Sequence, residues 1–160
     1  MCKRTSYQTR NVLRKTMNKI NSSNLSLKFK FATEDYEFRQ IHSLNYKTFV
    51  EEIPQHRQNH LGVLVDKFHN ENIYIICLRG QKLGGMVAVR DSRPFSLDEK
   101  LDDLDSYLPP NVKSVCEIRL LSVEFNFRSG QVFKGLLTGL ADHCISKGYD
   151  TAIISGTVRE

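Results

Sequence analysis

The stretch VEFNFRSGQVFKGLL, Val123 to Leu137, has the pattern of a strand end, a tight basic turn and the opening of a helix. Apolar residues continue on one face beyond it, which predicts a helix of about four turns with Gly148 as its C-cap. That face comprises Val132, Phe133, Leu136, Leu137, Leu140, Ala141, Cys144 and Ile145, all expected to pack in the core. Because backbone N–H groups at a helix start attract anions, the turn predicts a phosphate site.

The segments on either side of this helix predict two parallel strands. Residues 114–123 (SVCEIRLLSV) and 150–155 (DTAIIS) are both strand-like, and a helix that joins two strands of one sheet returns the chain in the same direction. Residues 72–90 contain two strand-like runs that meet around Gly80 and Gln81, which indicates a hairpin. A short helix is predicted near residues 96–107. DTAIIS is expected to be buried.

The preceding part of the chain predicts a strand and a long helix. Residues 25–31 (LSLKFKF) alternate apolar and polar side chains, and Thr33 is the expected N-cap of a helix that runs to about Glu52. One face of that helix carries Ile41, Leu44, Asn45, Thr48 and Phe49. Asn45 is either a hydrogen-bonded core residue or a pocket residue, and the pattern leaves both open.

Composition indicates one soluble globular domain. The chain has 160 residues, of which 40% are hydrophobic and 26% charged, and it contains no apolar run of the roughly 20 residues that cross a bilayer. We therefore expect a cytoplasmic protein without stable membrane insertion. The net charge is +5, yet residues 1–30 hold eight Lys or Arg and no acid.

The basic N-terminal arm, residues 1–24, is expected to be helical. It is either a solvated terminus or a docking surface for an acidic partner. A nucleic-acid partner is disfavoured because Tyr7 is the arm's only aromatic residue. Metal binding is also disfavoured, since the four cysteines are widely spaced and His56 and His60 lack the glutamate of a metalloprotease motif.

Three stretches together resemble the GCN5-related N-acyltransferase (GNAT) superfamily. VEFNFRSGQVFKGLL is similar to its donor-binding turn, with Arg128 at the leading basic position. LNYKTFVEE, residues 44–52, and CEIRLLSV, residues 116–123, resemble segments of acyl-homoserine lactone autoinducer synthases. The resemblance covers residues 25–160 and is nearest to the autoinducer-synthase-like branch that makes long-chain N-acyl amino acids such as N-acyl tyrosine, the FeeM type.

The resemblance implies a fold and a donor site. The fold is α+β (mixed α/β), with a central, mostly antiparallel sheet, a splayed parallel strand pair and flanking helices. Residues 25–160 form the N-acyltransferase domain, which is expected to lack its C-terminal strands. Arg128, Ser129 and Gly130 would contact the donor, and backbone N–H groups around Leu121 to Val123 would orient its thioester. Asp66 matches one of the family's paired aspartates, whereas His69 stands at the second position.

Amide formation from a thioester needs a group that takes a proton from the amine. Glu117, in an otherwise apolar strand, is our candidate general base, because desolvation raises the pKa of a carboxyl group. The alternative is a structural Glu117–Arg119 ion pair. Arg119 and Arg90 are candidates for binding an amino-acid carboxylate, since the guanidinium fork suits it. Asn45 and Phe49 would line the amine or the acyl side of the pocket. Leu120, Val123, Phe125 and Ile153 would line an acyl tunnel.

The donor is expected to be an acyl-phosphopantetheine carried by acyl carrier protein, with no permanently bound cofactor. Gln131 and Phe133 occupy positions that are usually glycine in the turn, which disfavours the pyrophosphate of coenzyme A. The predicted reaction transfers a long-chain acyl group to an amino acid, tyrosine or another aromatic one, without a covalent enzyme intermediate. The alternatives are an acetyl-CoA-dependent acetyltransferase and a non-catalytic module that binds an acyl carrier.

Overall fold

The computed structural model describes residues 26–156 and confirms the predicted α+β architecture. Its five strands lie in the order β1-β2-β3-β4-β5. Neighbouring strands are antiparallel except β4 and β5, which are parallel as predicted. The strands are β1 Leu27–Phe31, β2 Ile73–Arg79, β3 Lys82–Arg90, β4 Val115–Val123 and β5 Thr151–Ile154. The predicted arm, residues 1–24, lies outside the described residues.

The first helix, α1, spans Asp35–Tyr46 and continues as a π-helical segment, Lys47–Glu52. Its N-cap is Glu34 and not Thr33, because Glu34 and Glu37 form a reciprocal capping box. Wider π-helical winding was not predicted, since apolar spacing alone does not distinguish it from an α-helix.

The second helix, α2, spans Gly130–Lys147 between the predicted caps. Ser129 occupies the N-cap position without a side-chain capping bond, and Gly148 closes the helix with a φ of 69°. Neither helix, nor the shorter helical turns described between residues 26 and 156, has the length and apolar character needed to cross a lipid bilayer.

The sheet is covered on both faces, which explains why β2 and β3 are almost entirely buried. On one face α1 packs on a cluster formed by Ile41, Leu44, Tyr74, Ile76, Leu78, Leu83, Met86 and Ala88. On the other face α2 packs on a cluster formed by Ile75, Cys77, Val87, Val89, Cys116, Phe127, Val132, Leu136 and Leu140. The hairpin predicted at Gly80 and Gln81 joins β2 to β3.

The apolar face predicted for α2 is wider than the part that the sheet covers. Val132, Leu136 and Leu140 are buried, but Phe133 is 48% exposed and Ile145 78% exposed. The expectation that Phe133 packs in the core is therefore wrong, because a helix seated on one sheet buries only a stripe of its surface. β5 likewise alternates between partly buried and exposed residues, so its predicted burial is also wrong.

The region predicted as a short helix near residues 96–107 is mostly turns. Only Leu104–Tyr107 forms a helical turn, of the 3-10 type. This segment brings Ser96 over β4, which matters for the candidate site.

Candidate active site

A β-bulge interrupts β4 at the point where it leaves its parallel partner. Pairing with β5 ends at Ile118 and Ile154, whereas β4 continues to Val123. Leu120 has a φ of 53°, and the register with β3 shifts between Met86 and Ala88. A left-handed conformation in a branched residue is strained, and such strain clusters at functional sites. Among residues 26–156 no strand pairs with the β5-facing edge of β4 from Arg119 onward, so this edge can accept an extended ligand.

Glu117 lies on the α1 face of β4, three residues before the bulge, and is fully buried. Ser96 donates its backbone N–H to Glu117 Oε2 at 3.0 Å and its hydroxyl to Oε1. Two donors from one residue thus hold both carboxyl oxygens and fix the orientation of the group. The sequence did not predict this contact, since Ser96 lies in a loop 21 residues away.

Arg119 pairs mainly with Asp66 and only weakly with Glu117. Its Nη2 is 2.8 Å from Asp66 Oδ2, whereas its Nη1 is 3.5 Å from Glu117 Oε2 and makes no hydrogen bond there. The alternative of a Glu117–Arg119 structural pair is therefore not the dominant arrangement. Asp66 is held in turn by the backbone N–H of Phe68 at 3.0 Å and by Asn72 at 2.9 Å.

Arg90 is 3% exposed and lies against the same group of residues. Its Nε donates to the carbonyl of Ser92 at 2.7 Å, and its Nη1 forms an ion pair with the carboxylate of Glu71 that lacks hydrogen-bond geometry. The ring of Phe68 contacts two guanidinium groups, with the Arg90 carbon 3.8 Å and the Arg119 carbon 4.6 Å from its centroid. This contact fixes both predicted carboxylate-binding arginines through cation–π attraction.

Asn45 is buried and only partly hydrogen-bonded, because its Oδ1 has no partner among residues 26–156. It is fully buried, and its Nδ2 donates to the carbonyl of Leu64 at 3.5 Å, while Leu64 N–H donates to the carbonyl of His42 at 3.0 Å. Asn45 therefore helps to hold the loop that carries Asp66 against α1. Phe49, on the π-helical segment, is half-buried.

A chain of polar contacts continues from Asp66 back to α1. Asn72 Nδ2 lies 3.1 Å from the Tyr74 hydroxyl, which lies 3.2 Å from His69 Nδ1. His69 Nδ1 is 3.4 Å from His42 Nε2. Burial lowers the pKa of His42, with His69 adding to the effect, and burial raises the pKa of Tyr74 to about 12. His42 and Tyr74 are therefore uncharged near neutrality.

In the predicted donor turn, the basic residue Arg128 forms an ion pair within the protein, which was not expected. Arg128 is paired with Glu52 through both guanidinium Nη atoms, and its Nε donates to the carbonyl of Val123 at 3.2 Å. Glu52 raises the pKa of Arg128, which stays positively charged. Gly130 opens α2, and apart from its chain neighbours and the helix's own backbone no atom of residues 26–156 lies within 4 Å of where a Cβ would lie. The backbone at this turn is therefore accessible.

The side chains expected to line an acyl tunnel do not lie together. Leu120 packs with the α1-side cluster, whereas Val123 packs with the α2-side cluster. Ile153, on β5, is partly buried and pairs with Glu117. Phe125 is 75% exposed. Because the sheet separates the two faces, these residues do not form one tunnel. The apolar side chains exposed beside the donor turn are instead Phe125, Phe133 and Leu137.

The structure thus divides the predicted site residues into two groups. Glu117, Arg119, Arg90 and Asp66 are linked by the contacts above, on the α1 face of β3 and β4. The donor-turn residues lie where β4 leads into α2. The sequence missed Ser96, Phe68 and Glu71, and the only signal for Phe68 was its place two residues after Asp66.

A separate polar depression of about 410 Å³ lies at the start of β4. It is lined by Asp91, Arg93, Phe95, Asp105, Leu108, Val112, Lys113, Ser114, Val115 and Tyr149, and contains none of the predicted site residues. Among residues 26–156 no cluster of three or more His, Cys, Asp or Glu side chains is arranged to hold a metal ion.

Comparisons with known proteins agree with this architecture. A family model described as an acetyltransferase (GNAT) domain matches residues 44–138. The AHL synthase LasI superposes with a TM-score of 0.64 at 11% identity, covering 82% of this chain and 72% of that one. A Trypanosoma brucei acetyltransferase gives 0.54 at 12%, covering 82% and 84%. An aminoglycoside acetyltransferase from an uncultured soil metagenomic sample gives 0.53 at 20%, covering 82% and 78%. No curated protein gives a significant match.

Proposed function

Because the chain belongs to the GNAT acetyltransferase family, we propose that it is an N-acyltransferase that joins a long-chain acyl group to the amine of an amino acid. The product would be an N-acyl amino acid, as in the FeeM type of autoinducer-synthase-like enzyme. The donor would be acyl carrier protein, and tyrosine or another aromatic amino acid the acceptor.

The observation that carries this proposal is the position of Glu117 relative to the bulge. A fully buried carboxyl group lies three residues before Leu120, where β4 parts from β5. A thioester laid along the open edge of β4 would have its carbonyl carbon near backbone N–H groups of residues 121–123. Such groups stabilise a developing oxyanion because they are already oriented.

The chemistry needs no covalent intermediate. The amine nitrogen attacks the thioester carbonyl carbon, the C–S bond breaks, and an amide and a free thiol result. Glu117 takes the proton that the amine loses, through a bridging water because its own oxygens are held by Ser96. That proton, or one from solvent, neutralises the departing thiolate. Ser96 is a positioning residue in this scheme.

The donor turn favours a single phosphate over a pyrophosphate. Gln131 and Phe133 place side chains at the first turn of α2, where Phe133 is 48% exposed, and Phe125, before the turn, is 75% exposed. These exposed aromatic side chains offer an apolar surface to a pantetheine arm or acyl chain. We place the reaction in the cytoplasm, where acyl carrier protein is available. Replacing Gln131 and Phe133 by glycine is expected to improve use of acyl-coenzyme A.

The acceptor end is proposed to lie at the two stacked arginines. Arg90 and Arg119 both contact the Phe68 ring and are both mostly buried, with side-chain exposures of 3% and 10%. A carboxylate brought to Arg90 would place the neighbouring amine on the Glu117 side of the sheet, because β3 and β4 pair Arg90 with Glu117.

The test is mass spectrometry of lipids extracted from cells that express the chain. Three proteins are compared: the unmodified chain, Glu117→Gln, and the control Glu99→Gln, which alters an exposed carboxylate paired with Lys67. A series of N-acyl amino acids is expected from the unmodified chain and the control. Loss of a general base lowers turnover by about 10²–10⁴-fold, so Glu117→Gln should yield almost none. Equal product from Glu117→Gln would remove Glu117 from the mechanism.

The same purified proteins distinguish the remaining candidates. Each is supplied with acyl carrier protein and with coenzyme A carrying one acyl chain, and with acetyl-coenzyme A. Turnover with acetyl-coenzyme A alone would establish the acetyltransferase alternative. Binding of the acyl carrier without amide formation, in folded unmodified protein, would establish the binding module.

A further inference from the structure

Arg90 is the least exposed cation of the candidate site, and its negatively charged partner reaches it from the surface. The guanidinium is 3% exposed, whereas Glu71, which pairs with it, is 50% exposed. A buried cation without a counter-charge is costly, so some carboxylate is needed at this position in the protein without substrate.

The second ion pair of the site is built differently. Asp66 is 9% exposed and is held by Arg119, by the backbone N–H of Phe68 and by Asn72. Removing Asp66 from Arg119 would break those further bonds. Glu71 has one polar side-chain contact among those described, its pair with Arg90, and half of its side-chain surface is exposed to solvent. Glu71 is therefore the carboxylate that exchanges at low cost.

From this contrast we propose that Glu71 is a placeholder for the carboxylate of the acceptor. In the free protein Glu71 neutralises Arg90, and the acceptor's carboxylate displaces it into solvent when it binds. The exchange leaves the charge at Arg90 unchanged, and a half-exposed glutamate is readily hydrated. This inference rests on the proposed function, since it requires an acceptor that carries a carboxylate.

The placeholder also provides selectivity. An amine without a carboxylate gains nothing by displacing Glu71, because it would leave Arg90 buried and unpaired. An amino acid compensates Arg90 at once. A ligand must therefore interact with Arg90 more favourably than Glu71 does. Removing Glu71 should strengthen the binding only of acceptors that carry a carboxylate.

The experiment measures binding and turnover in Glu71→Gln. L-tyrosine and tyramine are the two probes, since they differ only in the carboxylate. Without Glu71 as a competitor, thermal stabilisation by L-tyrosine should be larger than in the unmodified protein, and its KM about two- to fivefold lower. The response to tyramine should not change. Glu99→Gln, which removes a carboxylate of similar exposure from Lys67, an exposed cation, should behave as the unmodified protein.

Glu71→Asp is the second variant, and it keeps the charge while shortening the reach to Arg90. It should also lower the KM for L-tyrosine if the contact matters, and should fold even if Glu71→Gln does not. An unchanged or raised KM for L-tyrosine, or an equal gain for tyramine, would overturn the placeholder. Enhanced stabilisation by L-tyrosine in Glu71→Gln without any amide product would support the placeholder while rejecting the proposed function.

Discussion

Arg128 and Glu52 join the turn before α2 to the end of the π-helical segment, through a two-pronged ion pair across 76 residues of sequence. A second pair, Lys47 Nζ to Glu124 Oε2 at 3.1 Å, joins the same two parts of the chain. The basic residue predicted to bind the donor phosphate therefore also ties the π-helical segment to the turn before α2.

Glu52→Gln should separate the two roles of Arg128. Both partners are 42% exposed, so their coupling in a double-mutant cycle with Arg128→Gln should be below about 1 kcal/mol and should shrink in high salt. Freed from Glu52, Arg128 should strengthen donor binding, so the KM for acyl carrier protein should fall in Glu52→Gln and rise in Arg128→Gln. Equal changes in both variants would assign Arg128 a structural role alone.

Ser96→Ala tests whether the orientation of Glu117 matters. The substitution removes the hydroxyl donor to Oε1 and keeps the backbone donor to Oε2. We expect kcat to fall about tenfold or more with KM nearly unchanged, since a misplaced catalytic group loses rate before affinity. Ser96→Thr retains the hydroxyl and should restore much of the rate. A change in KM alone would indicate that Ser96 only shapes the loop.

Phe133→Ala and Leu136→Ala form a matched pair on α2. Leu136 is fully buried, so its truncation should lower the free energy of unfolding by about 2–5 kcal/mol. Phe133 is 48% exposed, and its truncation should cost about 1 kcal/mol or less. Denaturant unfolding gives both values. If Phe133 contacts the acyl donor, its loss should also raise the KM for long-chain donors. Similar destabilisation by both variants would indicate that Phe133 packs in the core after all.

Sequence periodicity predicted the elements that are determined by residues close to them in the chain. The hairpin at Gly80, the C-cap at Gly148 and the parallel return of β5 follow from local pattern and connection rules. The exposure of Phe133 did not follow, because an apolar face does not reveal how much of it a neighbour covers. Of the candidate site, Glu117, Arg119 and Asp66 were named from strand position and resemblance.

The contact partners of those candidate residues could not be predicted from the sequence. Ser96, Phe68 and Glu71 lie in loops without periodic structure, and their contacts depend on how the chain folds back over β3 and β4. The bulge at Leu120 was equally hidden, because a leucine carries no propensity for a positive φ. The strand positions of the candidate residues were thus more predictable than their pairing.

Gly84→Ala should disturb the approach to the donor turn. A Cβ at Gly84 would lie 2.3 Å from Cδ1 of Phe127, whose ring also contacts Arg79 and Lys82. Displacing the buried ring of Phe127, the residue before Arg128, should lower the free energy of unfolding by about 1–3 kcal/mol. Gly130→Ala is the control, since apart from its chain neighbours and the helix's own backbone no atom of residues 26–156 lies within 4 Å of its Cβ position. Thermal unfolding of the two variants gives the comparison, and equal stability would show that Phe127 shifts freely.

His143 should make the stability of the protein depend on pH below neutrality. It is 7% exposed on α2, its Nε2 has no hydrogen-bond partner among residues 26–156, and burial, aided by Lys147, lowers its pKa against an opposing effect of Asp91. His143 binds a proton more readily in the unfolded chain than in the folded protein. The contribution of neutral His143 to stability is therefore complete above the ordinary histidine pKa of about 6.5 and is lost as the pH falls below it. His42 adds a contribution of the same sign.

The measurement is the free energy of unfolding from denaturant curves between about pH 7.5 and pH 5, where carboxylates change little. Each histidine contributes at most about 1.4 kcal/mol per pH unit. His143→Gln cannot take up the proton, so its stability should decline less steeply with acid than that of the unmodified protein, whatever its stability at neutral pH. The double variant His42→Gln/His143→Gln should be flattest, and an unchanged slope in His143→Gln would mean that this histidine is already protonated or accessible in the folded state.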